Sequence, residues 1–399
     1  MRPHGWRLAK TCSESGSPAA SIAKRGREGR SLTMRRRRFG NLFREVASLE
    51  NLFAAAGKAL RGRSLRMPAA GFLANLEWEV VTLHRELCND TYGPGDYNYF
   101  EITEPKRRVV AAAPFRDRVV HHAICRVIEP LWERRFIRDN YACRPGKGTH
   151  AALRRASKLA QRFEWALCCD VRRYFPSISH GVLLAALGRV IADERLMKLL
   201  RRILASHQQE ESGPLADAEA RHVTDVGLPI GNLTSQFFAN VMLDPLDHYV
   251  TEQLRAGGYV RYMDDFLVFG DSRGDLRAMG KRIKKKLETL QLEIHPDKYR
   301  LVRTRHGVDF VGFSVFSDGR VRLREKSVKN FRRRYQSLLW KTHQGHVKPS
   351  AVTASVKSWV AHARHAQSEP LRSALLRKPR RSSRVKDGTA VCGGRGSEG

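Results

Sequence analysis

Residues 257–270 read Gly-Gly-Tyr-Val-Arg-Tyr-Met-Asp-Asp-Phe-Leu-Val-Phe-Gly. Two apolar and aromatic half-strands flank a Met-Asp-Asp tip, and glycines bracket the whole segment. Strand-forming residues on both sides of a short polar tip are typical of a β-hairpin. The segment therefore predicts a hairpin that carries two carboxylates, Asp264 and Asp265, at its turn.

A third carboxylate ends another apolar run. The run 165–169 is too short for a helix, which favours a buried strand ending at Asp170. Ionised carboxylates in apolar surroundings are costly unless cations pair with them. Two Mg²⁺ ions need oxygen ligands from separate strands and free positions for phosphate, and Asp170, Asp264 and Asp265 supply such a set. The pattern indicates nucleotidyl transfer; the alternative is ordinary turn chemistry, because Asp favours turns.

The charge of the chain points to a polyanionic partner. Its 399 residues include 73 Lys+Arg and 40 Asp+Glu, for a formal net charge of +33. Residues 1–38 contribute +9 and residues 377–399 contribute +5, so most of the excess lies between them. Nucleic acid is the first expected partner and an anionic membrane surface the second.

The cysteines and the apolar runs indicate a cytoplasmic protein. The seven cysteines form no CxxC pair, and Cys168 and Cys169 lie inside an apolar run, as buried free thiols do in a reducing compartment. No apolar run is long enough to cross a membrane, and the N-terminus resembles no secretory signal. We therefore expect no membrane contact and a cytoplasmic location.

Apolar periodicity predicts the remaining elements. The first 33 residues have no such period, and Met34, followed by four arginines, fits an alternative translation start. Strands are expected at 109–113 and, as a pair, at 308–316. Helices are expected at 42–60, 72–87, 118–132, 181–206, 232–256 and 275–290, and the basic region 325–376 is expected to be helical.

Seven sequence blocks, in order, resemble a reverse transcriptase over residues 39 to 376. They are 106–110 with 114–118 (KRRVV, PFRDR), 141–148 (YACRPGKG), 170–175 (DVRRYF), 227–236 (GLPIGNLTSQ), 262–265 (YMDD), 292–298 (LEIHPDK) and 310–313 (FVGF). The resemblance implies an α+β right-hand polymerase with fingers, a palm built on an antiparallel sheet, and a helical thumb.

The same resemblance implies domain boundaries. These are a disordered basic segment at 1–38, N-terminal helices and fingers at 39–163, a palm at 164–316 with a fingers insertion at about 181–225, a helical thumb at 317–376, and a disordered basic tail at 377–399.

One block is similar to the reverse transcriptases of diversity-generating retroelements. Group II intron enzymes usually carry Gln-Gly-x-x-x-Ser-Pro, whereas this chain has Ile230-Gly231-x-x-x-Ser235-Gln236. The similarity implies low fidelity opposite template adenine, an accessory variability protein and a template-repeat RNA. Two alternatives stay open: a group II-like or orphan bacterial reverse transcriptase of another retroelement or defence system, and a non-catalytic RNA-binding scaffold.

The family also implies roles for individual residues. Asp170, Asp264 and Asp265, with the Val171 carbonyl, would bind two Mg²⁺ ions, for which Mn²⁺ is a possible substitute. Lys298 would protonate the departing pyrophosphate, or it is a plain helix-end lysine.

Further residues are expected to contact dNTPs, an RNA template and a DNA or RNA primer. Phe175 would exclude a ribose hydroxyl, unless it is a core aromatic. Lys106 and Arg108 would clamp the triphosphate, unless they belong to a solvated hairpin. The other predicted nucleotide contacts are Ile230 and Gln236; the predicted nucleic-acid contacts are Arg144, Asn232, Ser235, Arg332 and Arg333.

Overall fold

A computed structural model describes residues 38–62, 67–102, 107–206 and 225–376 of the chain. Several predictions fall on residues outside these ranges: the basic segment up to residue 37, the triphosphate contact at Lys106, the middle of the insertion between 181 and 225, and the tail 377–399. The described residues alternate helices with short antiparallel strands.

Helices surround a central sheet on the N-terminal side. The predicted range 42–60 lies in two helices, and the predicted range 72–87 also lies in two, the first of which begins earlier, at Met67. The helices before the first strand of the central sheet are α1 (Leu42–Ala47), α2 (Leu49–Leu60), α3 (Met67–Ala74), α4 (Leu76–Cys88), α5 (Phe115–Glu133) and α6 (Thr149–Arg162).

The prediction of one continuous helix at 181–206 was wrong. The residues form α8 (His180–Gly188) and α9 (Glu194–Ala205), after a short α7 (Tyr174–Ser177). The Asp193 carboxylate accepts hydrogen bonds from the Leu196 N–H at 3.0 Å and the Phe43 N–H at 2.8 Å, which starts a new helix there. Apolar spacing alone does not reveal the break, because α8 and α9 both bury leucines in the same core.

The central sheet is antiparallel and has the strand order β4-β5-β3-β6. The predicted buried strand is β3, and the predicted hairpin is the β4–β5 pair. The strands are β3 (Trp165–Asp170), β4 (Gly258–Tyr262), β5 (Asp265–Gly270) and β6 (Arg300–Arg303).

Both faces of β3 are covered, which explains its uninterrupted apolar sequence. Leu167 and Cys169 join the core that includes α5, α10 (Leu233–His248) and α11 (Arg273–Glu288). Ala166 and Cys168 point the other way, into a second core with α6. Because both sides are filled, the end of this strand is held rigidly where Asp170 lies.

Two smaller sheets flank the central one. The hairpin of β1 (Asn98–Ile102) and β2 (Arg108–Ala112) lies on the fingers side. The strand pair predicted at 308–316 is confirmed as β7 (Val308–Phe310) and β8 (Phe313–Val315), and an unpredicted third strand, β9 (Val321–Leu323), completes that sheet.

The C-terminal described region is helical, as predicted. It contains α12 (Glu325–His343), α13 (Pro349–Ala363) and α14 (Glu369–Leu376), and the ring of Phe331 stacks on Trp359 with 4.0 Å between centroids. The observed α+β class and antiparallel palm sheet agree with the predicted fold, whereas the domain boundaries stay predictions. No helix in the described ranges is long and apolar enough to span a membrane.

Candidate active site

The two strands that end at the predicted carboxylates are paired side by side. In the antiparallel β3–β5 pair, Asp170 lies directly opposite Asp265. Residues opposite each other in such a pair point to the same face, with Cβ atoms about 4.5–5.5 Å apart. Their carboxylates therefore meet at the end of the sheet, as the strand predictions required.

Asp264 is brought to the same edge by the hairpin turn. Tyr262 pairs with Asp265, so Met263 and Asp264 form the loop, and Met263 takes a positive φ of 56°. The Asp264 carbonyl accepts a hydrogen bond from the Val171 N–H at 3.2 Å. The turn is thereby attached to the residue that follows Asp170, and all three aspartates share one edge.

Burial and neighbouring negative charge raise the pKa of two of these carboxylates. Burial, with the negative charges of Asp170 and Asp264, raises the pKa of Asp265 to about 7. Burial and the charge of Asp170 also raise the pKa of Asp264, while Lys298 and Arg108 act in the opposite direction. A concentration of negative charge that holds protons near neutral pH is a site that a divalent cation would stabilise.

Lys298 supplies the nearest positive charge. It lies at the end of a short 3₁₀ helix, Pro296–Lys298, and its ammonium forms an ion pair with Oδ2 of Asp170. The preceding His295 N–H donates to the Asp170 carbonyl at 2.8 Å, which holds this segment beside β3. The structure thus brings the predicted catalytic lysine to the predicted aspartates.

The donor set fits Mg²⁺ by its chemistry. Within the described parts of the chain, no three acidic, histidine or cysteine side chains already surround one point. Three carboxylates at one sheet edge nevertheless provide the hard oxygen ligands that Mg²⁺ takes, and the backbone of Val171 lies between Asp170 and Asp264. The residues that would hold the metal are Asp170, Asp264, Asp265 and the carbonyl of Val171.

Two predicted nucleotide-pocket residues are joined through the backbone of one segment. The Phe175 carbonyl accepts from the Leu228 N–H at 2.9 Å, and the Ile230 carbonyl accepts from the Ala111 N–H at 3.0 Å. Gly231 has a φ of +123°, and a Cβ there would lie 2.8 Å from Val110 Cγ1. Residues 228–231 therefore connect Phe175, which is expected to exclude a ribose hydroxyl, to strand β2.

Phe175 itself is half-buried. Its ring meets the buried Tyr174 edge-on, with 5.8 Å between centroids, and the Tyr174 hydroxyl donates to the Ala239 carbonyl. Phe175 also packs against the main core, and it is only partly exposed. Arg108, at the start of β2, is exposed and is close enough to Asp264 to lower its pKa.

The residues at the start of α10 differ in accessibility. Asn232 is buried and donates to the Tyr97 hydroxyl at 3.0 Å, and Ser235 is also buried. Gln236 is exposed, and its Oε1 accepts a hydrogen bond from the Cys143 thiol at 3.3 Å. Of these three predicted contacts, Gln236 has the most accessible side chain.

Arg144 is engaged by the protein itself. Only 6% of its side chain is exposed, and its guanidinium binds the Glu133 carboxylate at 2.9–3.1 Å and the carbonyls of Ile137 and Asn140. Its predicted contact with nucleic acid stays a prediction.

Arg332 and Arg333 are exposed on α12, where a phosphate backbone could reach them.

Sequence reasoning missed Arg261. This arginine is fully buried in β4, two residues before Met263, and donates to the Met263 carbonyl at 2.9 Å. A signal was available: a charged residue inside an otherwise apolar strand needs a buried partner.

The chain is similar to several known proteins. Protein YkfC of Escherichia coli (strain K12) is 26% identical over 359 residues, covering 76% of this chain and 92% of YkfC. The group II intron-encoded protein LtrA of Lactococcus lactis subsp. cremoris is 25% identical over 206 residues, covering 51% of this chain and 33% of LtrA. A structure of telomerase from Candida albicans with a telomeric RNA fragment has a TM-score of 0.41 and 15% identity, covering 61% of this chain and 49% of that chain.

The chain thus spans most of YkfC, about a third of LtrA and about half of the telomerase chain. Residues 102–315, more than half of the chain, match the sequence profile described as Reverse transcriptase (RNA-dependent DNA polymerase). That range contains β3, the β4–β5 hairpin and Lys298. The chain therefore belongs to the reverse transcriptase family of RNA-directed DNA polymerases.

Proposed function

We propose that this reverse transcriptase extends a primer on an RNA template by two-metal nucleotidyl transfer at Asp170, Asp264 and Asp265. The observation that carries the proposal is the register of β3 and β5, which sets Asp170 opposite Asp265, with Asp264 in the adjoining turn. Two bound Mg²⁺ ions, or Mn²⁺ in their place, would lower the pKa of the attacking hydroxyl and neutralise charge on the leaving oxygen.

The reaction joins the primer 3′-hydroxyl to the α-phosphate of a dNTP. The hydroxyl gives up its proton to solvent water as a P–O bond forms at the α-phosphorus and the bond to the bridging oxygen of the β-phosphate breaks, and pyrophosphate leaves with that electron pair. Asp264 and Asp265 would hold the metal ions at the hairpin tip, where the charge of the reacting groups is neutralised. Lys298, which reaches the same edge, donates a proton to the departing pyrophosphate.

The nucleotide would lie between the palm edge and the fingers hairpin. Arg108 faces the triphosphate, since its charge already acts on Asp264. Phe175 presents its open side to C2′ of the sugar and excludes a ribose hydroxyl, which selects dNTPs. Exposed Arg332 and Arg333 on α12 follow the phosphate backbone of the template–primer duplex.

We further propose that the enzyme is of the diversity-generating type and misincorporates opposite template adenine. Ile230 supports this, because a branched alkyl side chain replaces an amide that could position sugar and base. The Ile230 backbone is fixed by Ala111, so this side chain has a defined place beside the Phe175 segment. A template-repeat RNA and an accessory variability protein would be its partners, in the cytoplasm, where the free thiols of Cys168 and Cys169 stay reduced.

The alternative is a group II-like or orphan bacterial reverse transcriptase. The similarity to LtrA, a group II intron-encoded protein, favours it. A faithful copy of template adenines would support this alternative over the diversity-generating type.

The decisive experiment compares the natural protein with the variant that combines Asp264→Ala and Asp265→Ala. Mg²⁺-dependent dNTP incorporation is measured on an RNA template with an annealed primer. We expect incorporation by the natural protein and a loss of at least about 10³-fold in the variant, because the metal ligands are gone. Equal incorporation by both proteins would refute the proposed site, and absence of incorporation by both would favour an RNA-binding scaffold.

A further inference from the structure

Arg261 forms a fully buried ion pair beneath the catalytic hairpin. Neither its side chain nor that of Asp247, on α10, is exposed to solvent. Arg261 Nε lies 2.7 Å from Asp247 Oδ1, and Nη2 lies 2.6 Å from Oδ2, which is a two-pronged charge-assisted contact. Desolvation of two charges offsets most of their attraction, so a well-packed apolar pair would be about as stable. Stability alone does not account for this pair.

The third guanidinium nitrogen reaches the turn. Arg261 Nη1 donates to the Met263 carbonyl at 2.9 Å, and Asn240 Oδ1 lies 3.3 Å from the same nitrogen. Met263 has a φ of 56°, in the left-handed region, which costs a non-glycine residue about 1 kcal/mol or more. A charge-assisted hydrogen bond to this peptide stabilises the strained turn immediately before Asp264.

The turn is therefore fixed from two sides. Arg261 holds the Met263 carbonyl from the side of α10, and the Val171 N–H holds the Asp264 carbonyl from the side of β3. Loss of the Arg261 contact would release one of the two anchors and let the peptide between Met263 and Asp264 rotate. Rotation there would move the Asp264 carboxylate away from Asp170.

The same arginine connects the hairpin to the loop before α6. Its backbone N–H donates to the Asp139 carbonyl at 2.9 Å, and its carbonyl accepts from the Tyr141 N–H at 2.9 Å. Asn240 Nδ2 donates to the Ala142 carbonyl at 2.7 Å. The hairpin, α10 and residues 139–142 thus meet at Arg261. Their hydrogen bonds hold this arginine in one position beside the turn.

We propose that Arg261 is a positioning residue that sets the Asp264 and Asp265 carboxylates for metal binding, and that Asp247 orients its guanidinium. The inference rests on the proposed role of Asp264 and Asp265 as metal ligands.

The test is Arg261→Lys, which keeps the positive charge beside Asp247 and removes the guanidinium fork. Mn²⁺ binding is measured by electron paramagnetic resonance without nucleotide, alongside kcat, the KM for dNTP and the melting temperature. We expect Mn²⁺ affinity and kcat to fall about 10-fold or more, because groups that orient metal ligands have effects of this size. The KM for dNTP should stay within about threefold, since Arg261 is buried away from the nucleotide.

Arg202→Lys is the matched control. The Arg202 guanidinium donates to the carbonyls of Asp90 and Tyr92, at 2.9 and 3.2 Å, in the region after α4. The Arg202→Lys variant should have a lower melting temperature and an unchanged Mn²⁺ affinity. Mn²⁺ affinity that stays natural in Arg261→Lys, or falls equally in Arg202→Lys, overturns the inference.

A second variant covers the case in which Arg261→Lys does not fold. Combining Arg261→Met, Asp247→Leu and Tyr259→Phe removes both charges and the Tyr259 hydroxyl, which donates to Asp247 at 2.8 Å. Neither charge of the pair is then left without its partner, so stability should be nearly kept, and weak Mn²⁺ binding is again expected. Natural Mn²⁺ binding in this folded variant also overturns the inference.

A final variant separates this inference from the proposed function. Asp264→Asn combined with Asp265→Asn should abolish Mn²⁺ binding. If that variant still binds Mn²⁺, the ligand assignment fails; if it does not bind while Arg261→Lys binds normally, only the role of Arg261 fails.

Discussion

Lys298 and Asp170 form an ion pair at the edge of the palm sheet. The lysine side chain is 45% exposed and the aspartate side chain 12%, so the ammonium approaches the carboxylate from solvent. A cation that binds Asp170 must compete with this ammonium. The lysine would then be released toward a pyrophosphate leaving group on the same side.

Lys298→Met should therefore slow the chemical step and leave the fold intact. A general acid contributes about 10²-fold or more, so we expect kcat to fall by about that factor. Single-turnover incorporation and steady-state kcat check this. Lys284→Met is the control, since the Lys284 ammonium lies 4.1 Å from the centre of the Tyr299 ring. An unchanged kcat in Lys298→Met would show that Lys298 is an ordinary lysine at the end of a helix and not the general acid.

Phe175→Ala should relax the choice of sugar. Removing the half-buried ring opens space at C2′, and we expect discrimination against rNTPs, as a ratio of kcat/KM values, to fall about 10–100-fold. Tyr174→Phe is the matched control, because it removes a buried hydroxyl that binds the Ala239 carbonyl. It should cost about 1 kcal/mol of unfolding free energy and leave sugar choice unchanged. If Phe175→Ala keeps its discrimination, Phe175 is a core aromatic.

Ile230→Gln should raise fidelity opposite template adenine. A new amide hydrogen bond to the nucleotide, worth about 1 kcal/mol, would lower the adenine error rate about fivefold. Sequencing of cDNA made on a template rich in all four bases measures this, with Ile230→Val as the apolar control. Errors in the natural protein spread evenly over A, C, G and U would refute the adenine bias.

The sequence predicted the elements that form the centre of the site. An apolar run that ends in Asp and two apolar runs around an Asp pair specify β3 and the β4–β5 hairpin, because burial on both faces requires such runs. The identity of the neighbouring strand is a tertiary property. Spacing along the chain does not specify it.

Sequence patterns did not predict the long-range polar contacts. Asp247 and Arg261 lie on different elements, and the sequence of neither segment indicates that the two residues form an ion pair. The guanidinium of Arg144 binds Glu133 and two carbonyls, contacts that its sequence block does not indicate. The break between α8 and α9 likewise depends on Asp193 meeting the backbone of Phe43. Each outcome follows from contacts between distant segments, which periodicity does not encode.

His248, at the end of α10, should make stability depend on pH. The carboxylates of Asp244, 3.4 Å away, and Glu252, 2.5 Å away, raise its pKa to about 9 against the burial that opposes the charged form, and its Nε2 also lies 3.1 Å from the Arg135 carbonyl. Because the folded pKa lies above the unfolded value of about 6.5, the stabilisation is complete below pH 6.5 and is lost as the pH rises through 9. His248→Gln should thus be less stable than the natural protein by about 1–3 kcal/mol at pH 6 and nearly equal at pH 10. Urea unfolding at both pH values measures the difference, and a gap that is the same at pH 6 and pH 10 would show that the imidazole is not charged in the folded protein.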